Sequence, residues 1–263
     1  MITIDLCGLK LANPTILASG ILGYTGLSLR RVIEAGAGAV ITKSMGLKPR
    51  MGYPNPTIVQ TECGLLNAMG LPNSGINHFK EEMDQVSCPH IEKAGAEIGC
   101  DPILLAKIVK DVKKIVKKPI IVKLTPNVTN ISDLAKTVEK AGADAITAVN
   151  TFKAMAIDTE TNRPILANKY GGLSGPAIKP MAIRCVYDIF RSVDIPIIGC
   201  GGISSWQDAV EFMLAGASAV QIGTAIAFKG DNVFRSVTEG IETYLKRKGL
   251  KNVNEIVGLS HKY

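Results

Sequence analysis

Six short runs of apolar, largely β-branched residues recur along the chain: TILASG (15–20), AVITKS (39–44), PIIVKL (119–124), AITAVN (145–150), IPIIGC (195–200) and AVQIGT (219–224). They are apolar on both faces, the pattern of strands in a parallel sheet covered on both sides. Between them the apolar positions switch to helical spacing. Ser132-Asp133 marks a helix start ahead of DLAKTVEKAG, and Ser205 with Asp208 marks another over WQDAVEFMLAG in a variant of the capping box. One phrase repeats: EAGAGAVITKS (34–44), KAGADAITAVN (140–150) and LAGASAVQIGT (214–224). Each is a helix end, a glycine that supplies the left-handed exit, and a buried strand. The repeated unit predicts an α/β chain with a parallel sheet. Its spread over residues 1–263 without a compositional break predicts one domain of the (β/α)8 TIM-barrel type, not a doubly wound sheet.

A barrel places its active site at the C-terminal ends of its strands. Ser19-Gly20, Lys43-Ser44, Lys123, Asn150-Thr151, Cys200-Gly201-Gly202 and Gly223-Thr224 stand there. Two lysines in apolar strands are costly unless an anion meets them. The glycines of IIGCGGISS and QIGTA follow the last two strands, where barrels gather backbone N–H groups around a phosphate. Ser204-Ser205 open a helix whose positive end is expected to point the same way. A third glycine-rich loop is expected over Gly171-Gly172-Leu173-Ser174-Gly175-Pro176.

Composition narrows the classes. The chain is 46% hydrophobic and 20% charged, with no apolar leader and no run of about 20 apolar residues, so a cytoplasmic protein is expected. Its net charge of +7 comes from lysines spread over predicted helices, read as solvated faces, and no nucleic-acid motif accompanies them. Six cysteines without a C-x-x-C pair argue against a disulfide framework or a local metal site, and most are expected to be buried. His78, His90 and His261 lack a partner at a telling spacing and are not expected to be catalytic.

The phrases NPTILASGILG, ITKSMGLKPR, GLLNAMGLPNSG, SCPH, IVKLTPNVT, VNTFKAMAIDTETNRPIL, GGLSGPAIKP, IPIIGCGGI and AVQIGTA resemble, in family order, the catalytic subunit of the cytosolic, cysteine-base class of dihydroorotate dehydrogenases, archaeal and bacterial type. The resemblance implies oxidation of dihydroorotate to orotate in pyrimidine biosynthesis, with FMN as hydride acceptor. It places Ser19, Lys43, Ser44, Lys123, Val149, Gly175, Gly201, Gly202, Gly223 and Thr224 on FMN. Lys43, Asn67, Ala68, Met69, Gly70, Leu71, Asn150 and Thr151 would hold the substrate, and Cys88 would be the base. A thiolate suits that role where its surroundings lower its pKa. It also implies NAD, reached through a partner subunit carrying FAD and a 2Fe-2S cluster, or fumarate as acceptor, and a homodimer or heterotetramer.

One stretch departs from the family. QVSCPH (85–90) puts Cys88 almost directly after the helical run SGINHFKEEMD, with only a stub of strand before it. About one and a half βα units, on the order of 40 residues, are missing between the second and fifth strands. Gln85 stands where the family has an asparagine. A gapped parallel barrel exposes strand edges and core. Alternatives therefore stay open: a non-catalytic or inactivated flavin- or phosphate-binding remnant, or another FMN barrel reductase of the dihydropyrimidine type.

Overall fold

The computed structural model of the chain describes residues 2–83, 90–91 and 99–263. Its frame is a parallel sheet of seven strands. In spatial order these are His90–Ile91, Ala39–Ile41, Thr15–Leu17, Ala217–Ile222, Ile197–Cys200, Ala145–Ala148 and Ile121–Leu124. The first long strand pairs with the last, Thr15 opposite Val220 and Leu17 opposite Ile222. That seam is how a sheet curls into a barrel, as the repeated unit predicts, and a doubly wound sheet lacks it.

All six predicted runs form strands. They stop two or three residues early at the C-terminal end in most cases, which leaves Ser19, Ser44, Asn150 and Gly223 in the loops beyond. The core is the expected apolar filling: Ile16, Val40, Leu124, Ile146, Ile198 and Val220 are wholly shielded from solvent. Helices Ile131–Lys140, Lys179–Phe190, Trp206–Leu214 and Val233–Lys248 pack outside. A hairpin, Ile4–Leu6 with Leu9–Leu11, turns through Cys7 (φ 54°) and Gly8 (φ 85°). Cys7 Sγ donates to the Asp144 carbonyl at 3.1 Å, which fixes the hairpin at the N-terminal end of the sheet. Burial first, then the Asp144 and Asp5 charges, push that thiol up.

Several local expectations need correction. A two-residue strand, His90–Ile91, follows Cys88, and the stub expected just before Cys88 lies outside the described residues. His90–Ile91 pairs with the Ala39–Ile41 strand, and among the described residues nothing joins it to Ile121–Leu124. Among the described residues the sheet therefore does not close, and its opening lies between His90–Ile91 and Ile121–Leu124. Asn130, not Ser132, caps the helix Ile131–Lys140, because its side chain reaches the Ser132 N–H at 3.1 Å. The GGLSG segment is mostly strand, Tyr170–Ser174, paired with Phe152–Met155 and Gly64–Asn67 in a four-stranded antiparallel sheet at the strand C-terminal ends. None of the five described cysteines is fully buried, and Cys63 and Cys100 are exposed, since turns and strand ends carry them.

The helix Pro102–Ile115 flanks the opening. Asp101 caps it, accepting from the Ile103 and Leu104 N–H groups. It buries only Leu105 and Val109, and Ile103, Leu104, Val112 and Ile115 face solvent.

Candidate active site

The loops beyond the strands bring four glycine-bearing segments together. Gly175 has φ 100°, and a Cβ there would lie 2.8 Å from the Gly64 Cα and 3.2 Å from the Thr224 methyl. Gly202 has φ 78°, and a Cβ there would lie 2.7 Å from the Gly175 carbonyl oxygen. Both positions exclude a side chain by backbone conformation and by space. Thr224 Oγ1 donates to Ser174 Oγ at 2.8 Å, which ties the loop after the last strand to the Gly175 turn. Gly201, Gly202, Gly223 and Thr224 thus line one rim with their backbone close to the surface. That is the shape an anion cradle needs.

The residues that lead into the helix behind this rim are held by the helix's own Asp208. The Asp208 carboxylate accepts from the Ser204 and Ser205 N–H groups, both at 2.9 Å, and Ser205 caps the helix in return. Lys179 Nζ bridges Asp208 at 2.8 Å and Glu211 at 2.5 Å. Burial pushes Asp208 up, but Lys179 and the serine donors outweigh it and hold the acid below its usual range. The Ser204 and Ser205 N–H groups are thus committed within the protein.

The two lysines stand on either side of the barrel's opening, Lys123 on the edge strand and Lys43 one strand in from the other edge. Lys43 follows Ala39–Ile41, the neighbour of His90–Ile91, and is only 6% exposed. Its Nζ reaches the Gly20 carbonyl at 3.5 Å and lies 5.0 Å from the Tyr24 ring centroid. Lys123 lies inside the edge strand Ile121–Leu124, and its Nζ meets Cys200 Sγ at 3.7 Å. Among the described residues, neither ammonium has a carboxylate at ion-pair distance. Two such cations facing one rim are unneutralised positive charge, ready for an anionic ligand. Ser44 is buried beside Lys43, and Ser19 Oγ donates to the Thr42 carbonyl at 2.8 Å. Val149 is buried and donates its N–H to the Cys200 carbonyl at 2.8 Å.

The NAMGL segment leaves the strand Gly64–Asn67 and turns through Gly70 (φ 71°) and Leu71 (φ 55°). Asn67 Nδ2 donates to the Gly172 carbonyl at 3.1 Å, while Ala68 is buried and donates its N–H to the Thr57 carbonyl. The Met69 carbonyl accepts from the Tyr53 N–H. Asn150 is exposed at the mouth, and its N–H donates to the Leu124 carbonyl, beside Thr151. Cys88 and Gln85 lie outside the described residues. His261 stacks on Tyr187 at 3.8 Å and reaches the Ala215 carbonyl, a packing role away from the rim.

Two asparagines that sequence reasoning missed hold these loops. Asn73 Oδ1 accepts from the Gly46 and Gly75 N–H groups, and its Nδ2 donates to the Leu71 carbonyl. It locks the Leu71 turn against the loop that follows Lys43. Asn127 Nδ2 donates to the Thr151 carbonyl at 3.0 Å, and its Oδ1 accepts from the Lys153 N–H at 2.8 Å. It locks the loop after Lys123 to the one carrying Asn150. Each follows a proline, in LPN and TPN, which is a turn signal readable in the sequence.

Comparison with known proteins agrees with this geometry. A family model described as dihydroorotate dehydrogenase matches residues 1–86 and 83–245. The break falls at the point where the sequence is short. A protein of Pyrococcus furiosus named dihydroorotate dehydrogenase B (NAD(+)), catalytic subunit, is 49% identical over 297 residues, covering 99% of each chain. One of the same name from Methanothermobacter thermautotrophicus is 46% identical over 299, covering 99% of each. An alignment of 297 positions over 99% of a 263-residue chain leaves about 37 positions with no residue here, close to the expected shortfall. Among solved structures, the dihydroorotate dehydrogenase of Eimeria tenella in complex with ferulenol superposes with a TM-score of 0.84 at 21% identity, covering all of this chain and 89% of that one, a likeness of fold. The chain belongs to the dihydroorotate dehydrogenase family, on the branch of its B-type catalytic subunits.

Proposed function

We propose that this chain binds FMN and oxidises dihydroorotate to orotate in pyrimidine biosynthesis. The observation that carries the reading is the pair of unneutralised ammonium groups, Lys43 and Lys123, beside a rim where Gly175 and Gly202 leave no room for a side chain. FMN supplies the acceptor for the hydride. In this reading Gly175, Gly201, Gly202, Gly223 and Thr224 hold its phosphate, with Ser19, Ser44 and Val149 lining the ring's bed. Lys123 stabilises the charge that gathers on the reduced ring. Lys43, Asn150 and Thr151, with the segment from Asn67 through Ala68, Met69 and Gly70 to Leu71, hold the dihydroorotate carboxylate and amides. The asparagines suit this task because each can donate and accept at once. Cys88 takes the substrate proton.

The relatives are named as catalytic subunits of an NAD(+)-type enzyme, so electrons would leave through a second subunit. We assign the FAD and the 2Fe-2S cluster to that partner, and the assembly is a homodimer or a heterotetramer in this reading. Among the described residues, no helix is long and apolar enough to cross a membrane.

A second reading has its own support. Residues 83–86, where the two family matches meet, lie within five positions of Cys88, which is itself matched, whereas the glycine rim and both lysines stand well away from that junction in sequence. A barrel that keeps flavin and has lost turnover fits that distribution. One titration separates the two readings. Purified protein is loaded with FMN, and dihydroorotate is added without oxygen. Bleaching of the flavin band supports turnover. A yellow protein that stays yellow supports the flavin-binding remnant, and a colourless one rules out both.

A further inference from the structure

The contact between Lys123 and Cys200 has no task in the scheme above. Lys123 Nζ donates to Cys200 Sγ at 3.7 Å, across the strand Ala145–Ala148 that lies between theirs. A thiol is a weak acceptor, and in its protonated form it brings no formal charge. A carboxylate at the same reach would hold the ammonium more firmly, but it would also neutralise it.

The neighbouring positions follow the same rule. Gln221 is the register partner of Cys200, and Thr147 that of Lys123. Gln221 Nε2 donates to Thr147 Oγ1 at 3.1 Å, while its Oε1 is buried with no donor among the described residues. The wall from Lys123 through Thr147 and Cys200 to Gln221 is thus polar without a negative charge. Among the described residues, Lys43 likewise meets a backbone carbonyl and the face of Tyr24, with no carboxylate at ion-pair distance.

We infer that Cys200 is a positioning residue: its sulfur tethers the Lys123 ammonium at the rim without cancelling its charge, and so sets how strongly the site favours reduced over oxidised flavin. The second half of this inference rests on the flavin reading above, and the first half does not. In flavin-loaded protein, Cys200→Asp places an anion on Lys123. The site should then lose about tenfold in its preference for reduced FMN, which for two electrons lowers the midpoint potential by about 30 mV. Cys200→Ser, which keeps a neutral acceptor, should stay near the parent value, and Cys200→Ala should fall between them.

The tether itself is read without flavin. In apo protein, Cys200 is alkylated with anionic iodoacetate or neutral iodoacetamide; sulfur bonds to the reagent's methylene carbon as iodide leaves. Mass spectrometry of the Cys200 peptide gives the ratio of the two rates. An ammonium at contact distance favours the anionic reagent, so Lys123→Met should lower the ratio severalfold at Cys200 and leave it unchanged at the exposed Cys63. An unchanged ratio at Cys200 overturns the tether. A yellow Cys200→Asp protein with the parent potential overturns the tuning, even if its melting temperature moves. A colourless protein whose Cys200 ratio still falls in Lys123→Met supports the tether and overturns the flavin reading together with the tuning.

Discussion

The helix Trp206–Leu214 and the helix Pro102–Ile115 do the same job on different sides of the barrel, with opposite results. The first has nine residues and buries five, including Phe212 and Met213. The second has fourteen and buries two. Both are capped, by Ser205 and by Asp101, so local signals do not separate them. The difference is what lies beneath. Trp206–Leu214 packs on strands with neighbours on both sides. Pro102–Ile115 stands beside the opening left by the missing βα sequence. Local propensity makes a helix, and only the sheet behind it decides whether its apolar face is worth anything.

The comparison can be broken most sharply at Phe212. Phe212→Ala should cost about 3–5 kcal/mol, a large part of a domain's stability, and leave little folded protein on heating. A loss below 1 kcal/mol in a denaturant titration would show that this half is no better packed than the other.

Next comes Lys43, one strand in from the edge of the opening. Lys43→Met removes a buried, unneutralised charge, so the apo protein should melt at a higher temperature. The same change should cut the rate of flavin reduction by dihydroorotate about 10²–10³-fold. Stopped-flow bleaching and a thermal melt on one sample check both directions. A variant that is less stable and fully active would place Lys43 in the fold, not in the site.

Asp208 gives a smaller, pH-dependent effect in the well-packed half. Asp208→Asn loses the ion pair with Lys179 and half of the capping box, about 1–3 kcal/mol. Because the folded protein holds this acid below its usual pKa of about 3.9, its contribution is complete above that value. It fades as the pH falls through the lower folded value. The stability gap between parent and variant should therefore be flat near neutrality and close only in acid. A gap that widens on acidification contradicts that sign.

The smallest expected effect is at Ile115, 82% exposed. Ile115→Lys should change stability by less than about 0.5 kcal/mol. A larger loss would show that something covers this face in solution and would erase the contrast between the two helices.

The sequence made the frame legible because the repeated helix–glycine–strand phrase is a local pattern with long-range meaning. It identified every long strand of the parallel sheet, and the two lysines drew notice as charges in apolar runs. The short stretch at 85–90 showed that strand was lacking, but nothing in it marked His90–Ile91 as a strand. A two-residue strand carries no period, so pairing with Ala39–Ile41 decides it, not pattern. The blocking of the Ser204 and Ser205 N–H groups was also half visible. Asp208 reads as a cap, yet only its third partner, Lys179, 29 positions away, shows how fully that carboxylate is committed. Cys200 reads as one more small buried residue until Lys123, 77 positions away, is placed beside it.

The seam between Thr15–Leu17 and Val220–Ile222 has a kinetic consequence. Thr15 and Val220 are 205 positions apart, so the contact that curls the sheet is among the last the chain can make during synthesis. Until the final strand emerges, the Thr15–Leu17 strand can pair only with Ala39–Ile41, and its other edge stays bare. Such distant pairing slows folding and leaves strand edges exposed to other chains. Among the described residues the sheet also has unpaired borders at His90–Ile91 and at Ile121–Leu124. Pairing at the seam covers the Thr15–Leu17 edge once the last strand emerges, whereas those two borders have no partner among the described residues when translation ends.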